Sequence, residues 1–248
     1  MFKKLFLWIL LIVVFGIVTI YVARNTLVER AVEEGSTYAL GVETDLGSAS
    51  LDMKAGSVEL DNLAVSNPDG FEGGHFLTMK SGILAIETGS VFDDEIVVDS
   101  LILEGINLSF EQIDGKGNYA AILNHLKQLD FGSSESDQNI KIKLASIRDI
   151  EVGAVLNLLG QKKFEKSFAV ENITLRNIGG DNGASLEKIT AEIMQTIISK
   201  AASAGQNQFP DLFKANVSRM AEDKLEEVKT EAADKLKDAA GSLLGGDK

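Results

Sequence analysis

Cysteine is absent from this 248-residue chain, and proline and histidine occur only twice each. Without cysteine there is no disulfide, no thiolate nucleophile and no Cys-based zinc site. His75 and His125 fall in different elements without metal-ligand spacing, so both read as structural or solvent-facing and no metal is expected. Positive charge is also scarce. Lys and Arg number 24 against 37 Asp and Glu, for a formal net charge of -13. That balance excludes nucleic acid as a partner, because such binding draws most of its affinity from neutralised phosphates. The chain also lacks a G-x-S-x-G elbow, an H-E-x-x-H pair and a phosphate-binding Gly-rich loop. Asp93, Asp94 and Glu95 form a carboxylate cluster, but between two predicted strands they read as a solvated turn. With no nucleophile, base or metal constellation, neither an enzyme nor a cofactor is expected.

What the chain does have is one long apolar run. Residues 5–23, LFLWILLIVVFGIVTIYVA, carry no charge, and at 1.5 Å per residue they match the ~30 Å hydrocarbon core of a bilayer. Trp8 and Tyr21 stand near its two ends, where amphipathic rings favour the interface, and Lys3 and Lys4 precede it. The expectation is an uncleaved signal anchor with its N-terminus cytoplasmic. A cleavable signal peptide has a shorter apolar core and small residues at the cut, whereas Tyr21 precedes Ala23 here.

Three regions follow from composition: an anchor and linker over 1–40, a β-rich body over 41–184, and a helical region over 185–248 with a flexible end. Within the body four strings align: VELDNLAV (58–65), IVVDSLIL (96–103), IKLASIRD (142–149) and FAVENITL (168–175). Each has apolar residues at positions 1, 3 and 6. In a pleated strand that spacing carries the apolar set to the wrong face. A bulge at the central pair restores it, so Leu63 and Leu101 are expected inside together with Leu60 and Val98. The predicted body is a curved antiparallel sheet of kinked strands. The segment SNPDGF after Val65 reads as a turn, with Pro68 lacking a donor and Gly70 free to take positive φ.

Two amphipathic helices are predicted to pack on that sheet, one entered at Asn118 (Tyr119, Ile122, Leu123, Leu126) and one at Ser185 (Leu186, Ile189, Ile193, Ile197). A third pattern, Val217 through Leu243, steps by 4, 4, 3 along a thin Ala-rich stripe suited to loose docking.

The segments GSVELDNLAVSNPDGF (56–71), VDSLILEGINLSFEQIDGKGNYAAILNHL (98–126) and FAVENITLRNIGGDNGASLEKITAEIMQTIISKA (168–201) carry a resemblance. In their order, behind an N-terminal anchor, they resemble the AsmA-like family of bacterial envelope proteins, as a short member. The resemblance implies a groove of repeated β-strands with a lipid-accommodating interior, and a role in lipid handling or envelope integrity. It places the chain in the inner membrane as a single-pass protein, body in the periplasm. Groove walls are expected at Val58, Leu60, Ile96, Val98, Leu101 and Phe168. The partners implied are the bilayer through residues 5–23, phospholipid acyl chains and unidentified envelope proteins. About ten strands at roughly 4.8 Å make a sheet on the order of 50 Å, too short to bridge a periplasm alone. An apolar groove and an apolar core are written in the same alternation, so a membrane-tethered interaction or assembly module without lipid cargo stands beside the lipid-handling reading.

Overall fold

A computed structural model describes residues 23–113, 116–129, 139–158 and 161–208. The apolar run (all but Ala23) and the stripe from Val217 to Leu243 lie outside them. Among the described residues no helix is long and apolar enough to cross a membrane.

The chain opens with a helix over residues 23–40, α1. There follow β1 (Thr44–Asp52), β2 (Ser57–Ser66), β3 (His75–Ile86), β4 (Glu95–Ile113), β5 (Lys116–Gly117), α2 (Asn118–Gln128), β6 (Asn139–Leu158), β7 (Gln161–Val170), β8 (Ile173–Ile178) and α3 (Leu186–Gln208). The fold is α+β, with eight strands in one sheet of order β1-β2-β3-β4-β6-β7; β5 adds to β4 and β8 to β6. Only six strands lie abreast, narrower than the ten expected. Buried strand positions such as Val65, Met79, Ile106 and Ile147 share one core with Ile122 of α2 and Ile197 of α3. The helices therefore cover one face.

The sheet is mixed, which corrects the antiparallel expectation. β4 and β6 run parallel over nearly their whole length, from Glu95↔Asn139 to Ile113↔Asn157. Parallel neighbours need a long crossover, usually helical, and α2 lies within the one between Ile113 and Asn139. The strand-helix-strand order around NYAAILNHL leaves room for such a crossover but does not by itself choose it over an antiparallel return.

The break in strand phase is real but has a different cause at β2. Along that strand Val58, Leu60 and Val65 are buried and Leu63 half-buried, while Asp61 and Asn62 are exposed. The pairing of β2 with β1 and β3 runs through this point without an extra residue. Asn62 instead adopts φ 56°, the left-handed region, which rotates the pleat in place. The strands beside it change phase at the same row, burial passing from Leu46 to Ala49 in β1 and from Met79 to Gly82 in β3. The registers set Gly47, Asn62, Lys80, Gly105, Asp149 and Glu171 in one line across the sheet. Gly105 and Asp149 also have positive φ, 69° and 53°. A crease shared by every strand needs no bulge, because all of them slip phase at the same row.

A second crease passes through Asp99, Lys143 and Asn177 (φ 55°). Here a bulge does occur: Ala85 faces Ser100 but Ile86 faces Val98, leaving Asp99 extra. Lys143 crosses this crease, its Nζ 2.7 Å from Asp99 and 3.1 Å from Glu87. The bond to Asp99, then that to Glu87, raises the ammonium above its ordinary range. The four aligned strings thus divide. Asp61-Asn62 and Glu171-Asn172 lie on the first crease, Asp99-Ser100 on the second and Ala145-Ser146 on neither. FAVENITL is not one bent strand but the end of β7 and the start of β8, collinear against β6. Leu101 is buried as expected, whereas Leu63 is only partly so.

The stretch expected as a linker after residue 23 is α1, and it guards the free edge of β1. Thr37 Oγ1 accepts from Thr44 N (3.0 Å), Glu33 Oε1 from Leu46 N (2.9 Å) and Asn25 Oδ1 from Leu51 N (3.1 Å); Arg24 Nε donates to Leu51 O (3.1 Å). Unpaired strand edges invite pairing with other chains, and helix side chains spaced by multiples of four satisfy this one.

At the opposite end the predicted turn is present, with Phe71 N bonded to Pro68 O and Gly70 at φ 89°. It is tied down by buried polar groups. Glu111, 5% exposed, accepts from Glu72 N (3.0 Å) and Gly73 N (3.2 Å). Fully buried Asn118 accepts from Glu111 N and Tyr119 N, and donates to Ser109 O and Asn67 Oδ1. Asn118 therefore starts α2 and at the same time holds β4 and the β2–β3 loop together.

Candidate functional site: an apolar cavity under two helices

Covering one face of a creased sheet with straight helices leaves a gap. Between α1, α3 and the middle of the sheet lies a cavity of ≈ 160 Å³. Its floor comes from β2, β3, β4 and β6 through residues such as Leu63, Met79, Leu103 and Ile142. Its roof comes from Val32, Ser36 and Leu40 of α1 and from Ile189, Ile193 and Ile197 of α3. Only Ser36 and Thr190 among its twenty lining residues carry a side-chain hydroxyl; the rest are Val, Leu, Ile or Met. Such a lining offers water few polar partners. The two roof helices meet closely: a Cβ on Gly35 would lie 3.0 Å from Leu186 Cδ2. Ser185 caps α3, its Oγ 3.4 Å from Lys188 N.

Of the expected wall residues, Leu60 and Leu101 line the cavity. Val58, Val98 and Phe168 are buried outside its lining, and Ile96 is half-buried near the start of β4. Two of the six thus share the space beneath α1 and α3, and the other four lie elsewhere on the sheet. Sequence reasoning found the α3 residues as an amphipathic helix but missed the α1 wall; the spacing of Val32, Ser36 and Leu40 by four was the available signal.

A second concavity, ≈ 340 Å³, lies against His75, Asn107, Glu151 and Ser167. His75 is exposed there, while His125 packs its ring on Gly41 and contacts Tyr38 O at 3.2 Å. Among the described residues no group of three His, Asp or Glu is arranged to hold a metal ion. Asp93 and Asp94 sit in the turn between a short 3-10 helix (Thr88–Phe92) and β4, where Asp94 O accepts from Asn139 N.

What the fold and cavity define is an α+β protein with a mixed, creased sheet and a helix-roofed apolar chamber. No family model matches the chain, and no similar curated protein or solved structure was found.

Proposed function

We propose that this is a membrane-anchored envelope protein of the AsmA-like type that handles lipid, held in the inner membrane by residues 5–23 with its body in the periplasm. The observation that supports this reading is the cavity, whose lining suits hydrocarbon and little else. Its size sets what it accommodates. An engineered apolar cavity of about 150 Å³ accepts a benzene-sized guest, whereas drug-sized ligands occupy roughly 300–1,000 Å³. The space, partly open to its surroundings, therefore suits the end of one acyl chain rather than a whole lipid.

Mass spectrometry of lipids recovered with the detergent-purified full chain tests this. Wild type is expected to carry phospholipid or fatty acid. Leu63→Trp, which fills the chamber from a half-buried position, is expected to reduce recovery by roughly tenfold, about 1.4 kcal/mol of affinity. The burial of Val98 at 2% and Phe168 at 7% exposure favours the other reading, a tethered interaction module whose apolar face is simply its core. A lipid-free wild type would establish that reading in place of the first.

Topology has its own test. A C-terminal alkaline phosphatase fusion is expected to be active, and a C-terminal green fluorescent protein fusion exported by the general pathway to be dark. The reverse pattern would put the body in the cytoplasm.

A further inference from the structure

We infer that one end of the sheet, formed by the β1–β2 hairpin tip and the neighbouring 3-10 turn, is a bilayer-contacting surface seated in the headgroup layer. This rests on the reading of residues 5–23 as a membrane span. If they cross the hydrocarbon, Arg24 stands at its boundary. Arg24 and Asn25 are both hydrogen-bonded to the backbone of Leu51, at 3.1 Å each. β1 runs antiparallel to α1, from Thr44 beside Thr37 down to Leu51 beside Asn25. The chain beyond Leu51 therefore continues toward the membrane, and Met53 extends up to about 7 Å further. The headgroup layer, roughly 5–8 Å thick per leaflet, lies on the body side of the hydrocarbon boundary, so the Leu51 row and the base of the hairpin stand in it and Met53 reaches the edge of the hydrocarbon.

The exposed side chains at this end agree. Among the described residues, the large apolar side chains that are exposed are Leu27, Tyr38, Met53, Ile83 and Val91. Scattered singly they would need no explanation, but four of the five belong to one end. Leu27 is one turn from Arg24. Met53 is in the hairpin, and Ile83 faces Glu59 two rows from the hairpin's first pair, Asp52 with Ser57. Val91 belongs to the 3-10 turn, whose first residue Thr88 packs on the hairpin: a Cβ on Gly56 would lie 2.6 Å from Thr88 Cγ2. Tyr38 alone is at the far end. The hairpin is also stiffened: Asp52 accepts from Lys54 N (2.8 Å) and Ala55 N (3.0 Å), and these bonds lower its carboxyl below the ordinary range. Lys54 beside Met53 has the length to reach a lipid phosphate.

The charge at this end selects the kind of surface. Asp93, Asp94 and Glu95 follow the 3-10 turn, and in a chain of net charge -13 they make attraction to an anionic membrane weak. Contact is apolar and enforced by the anchor, and it suits zwitterionic headgroups. Seating the hairpin also fixes the chamber's height. Val32, eight residues past Arg24 on α1, stands about 12 Å from the hydrocarbon boundary, within reach of an acyl chain rising from the leaflet.

The absence of cysteine makes a clean test. Single variants Met53→Cys, Val91→Cys and, at the opposite end, Asp69→Cys are labelled with bimane in the full chain. They are then reconstituted into phosphatidylcholine vesicles containing headgroup-nitroxide lipid. Quenching at positions 53 and 91 is expected to exceed that at 69 at least threefold, and to be the same in low and high salt. Equal quenching at all three positions in protein that floats with the vesicles would overturn the apposition while leaving the span and the cavity reading standing. Failure to float would overturn it through the span. The lipid-recovery result for Leu63→Trp is independent of either outcome.

Discussion

Asn118→Leu is expected to destabilise the protein by about 3–5 kcal/mol, read as a lowered urea midpoint by far-ultraviolet circular dichroism of the full chain in detergent. The side chain is fully buried and engages four groups: Glu111 N at 3.0 Å, Tyr119 N and Ser109 O at 2.7 Å, and Asn67 Oδ1 at 2.8 Å. Each such bond contributes roughly 0.5–1.5 kcal/mol net, and a buried group deprived of its partner costs about 1–3 kcal/mol. Leucine matches the volume and supplies none of the bonds. Asn118→Asp keeps the two acceptor interactions but sets a buried carboxylate oxygen against Ser109 O and Asn67 Oδ1, so it is expected to cost at least as much as leucine at neutral pH. Asn67→Ala, at the accessible side of the network, is expected to cost about 1 kcal/mol. A loss under 1 kcal/mol for Asn118→Leu would show that the network does not hold the β2–β3 loop and α2 to β4.

Gly105→Val is the second large effect, with an expected cost of at least about 3 kcal/mol. Two penalties add. A β-branched residue at φ 69° is strained by about 1–3 kcal/mol. The new Cβ would also stand 2.7 Å from Lys80 Cβ, an atom fixed to its own strand, so one of the two strands has to shift. Because Gly105 shares its row with Asn62 and Asp149, that shift propagates along the crease to the floor of the cavity. Asn62→Gly is the contrasting variant. It keeps positive φ available without strain, so it is expected to change stability by less than about 0.5 kcal/mol. If Gly105→Val were as mild as Asn62→Gly, the crease would not depend on left-handed residues.

The broken alternation at Asp61-Asn62 and at Asp99-Ser100 was legible, because burial demands that apolar residues share a face and the strings plainly change phase. How each strand changes phase was not. A bulge and an in-register left-handed residue solve the same local problem, and only the neighbouring strands distinguish them: β1 and β3 slip with β2 at Asn62, while β3 does not follow β4 at Asp99. The third string was placed at Ala145-Ser146, whereas β6 turns its pleat at Lys143 and Asp149, positions that follow from its two partners.

Of the candidate site, the sequence supplied Leu60 and Leu101 and the amphipathic α3, since periodicity says which residues seek the interior. It did not supply the cavity, because a void is a property of how elements of different shape meet. The sequence by itself determined the α+β class, the apolar strand faces, the SNPDGF turn, the starts of α2 and α3 and the lack of metal-ligand spacing; each follows from local chemistry or a period of 2 or 3.6 residues. Tertiary structure alone decided the parallel pairing of β4 with β6, the creases running across the sheet, α1 as guardian of the β1 edge, and the covering of the apolar face by α1 and α3. The physical reason is the same for all four: each depends on which strand edge or helix face lies opposite, and a hydrogen-bond donor or an apolar side chain is written identically whichever partner eventually satisfies it.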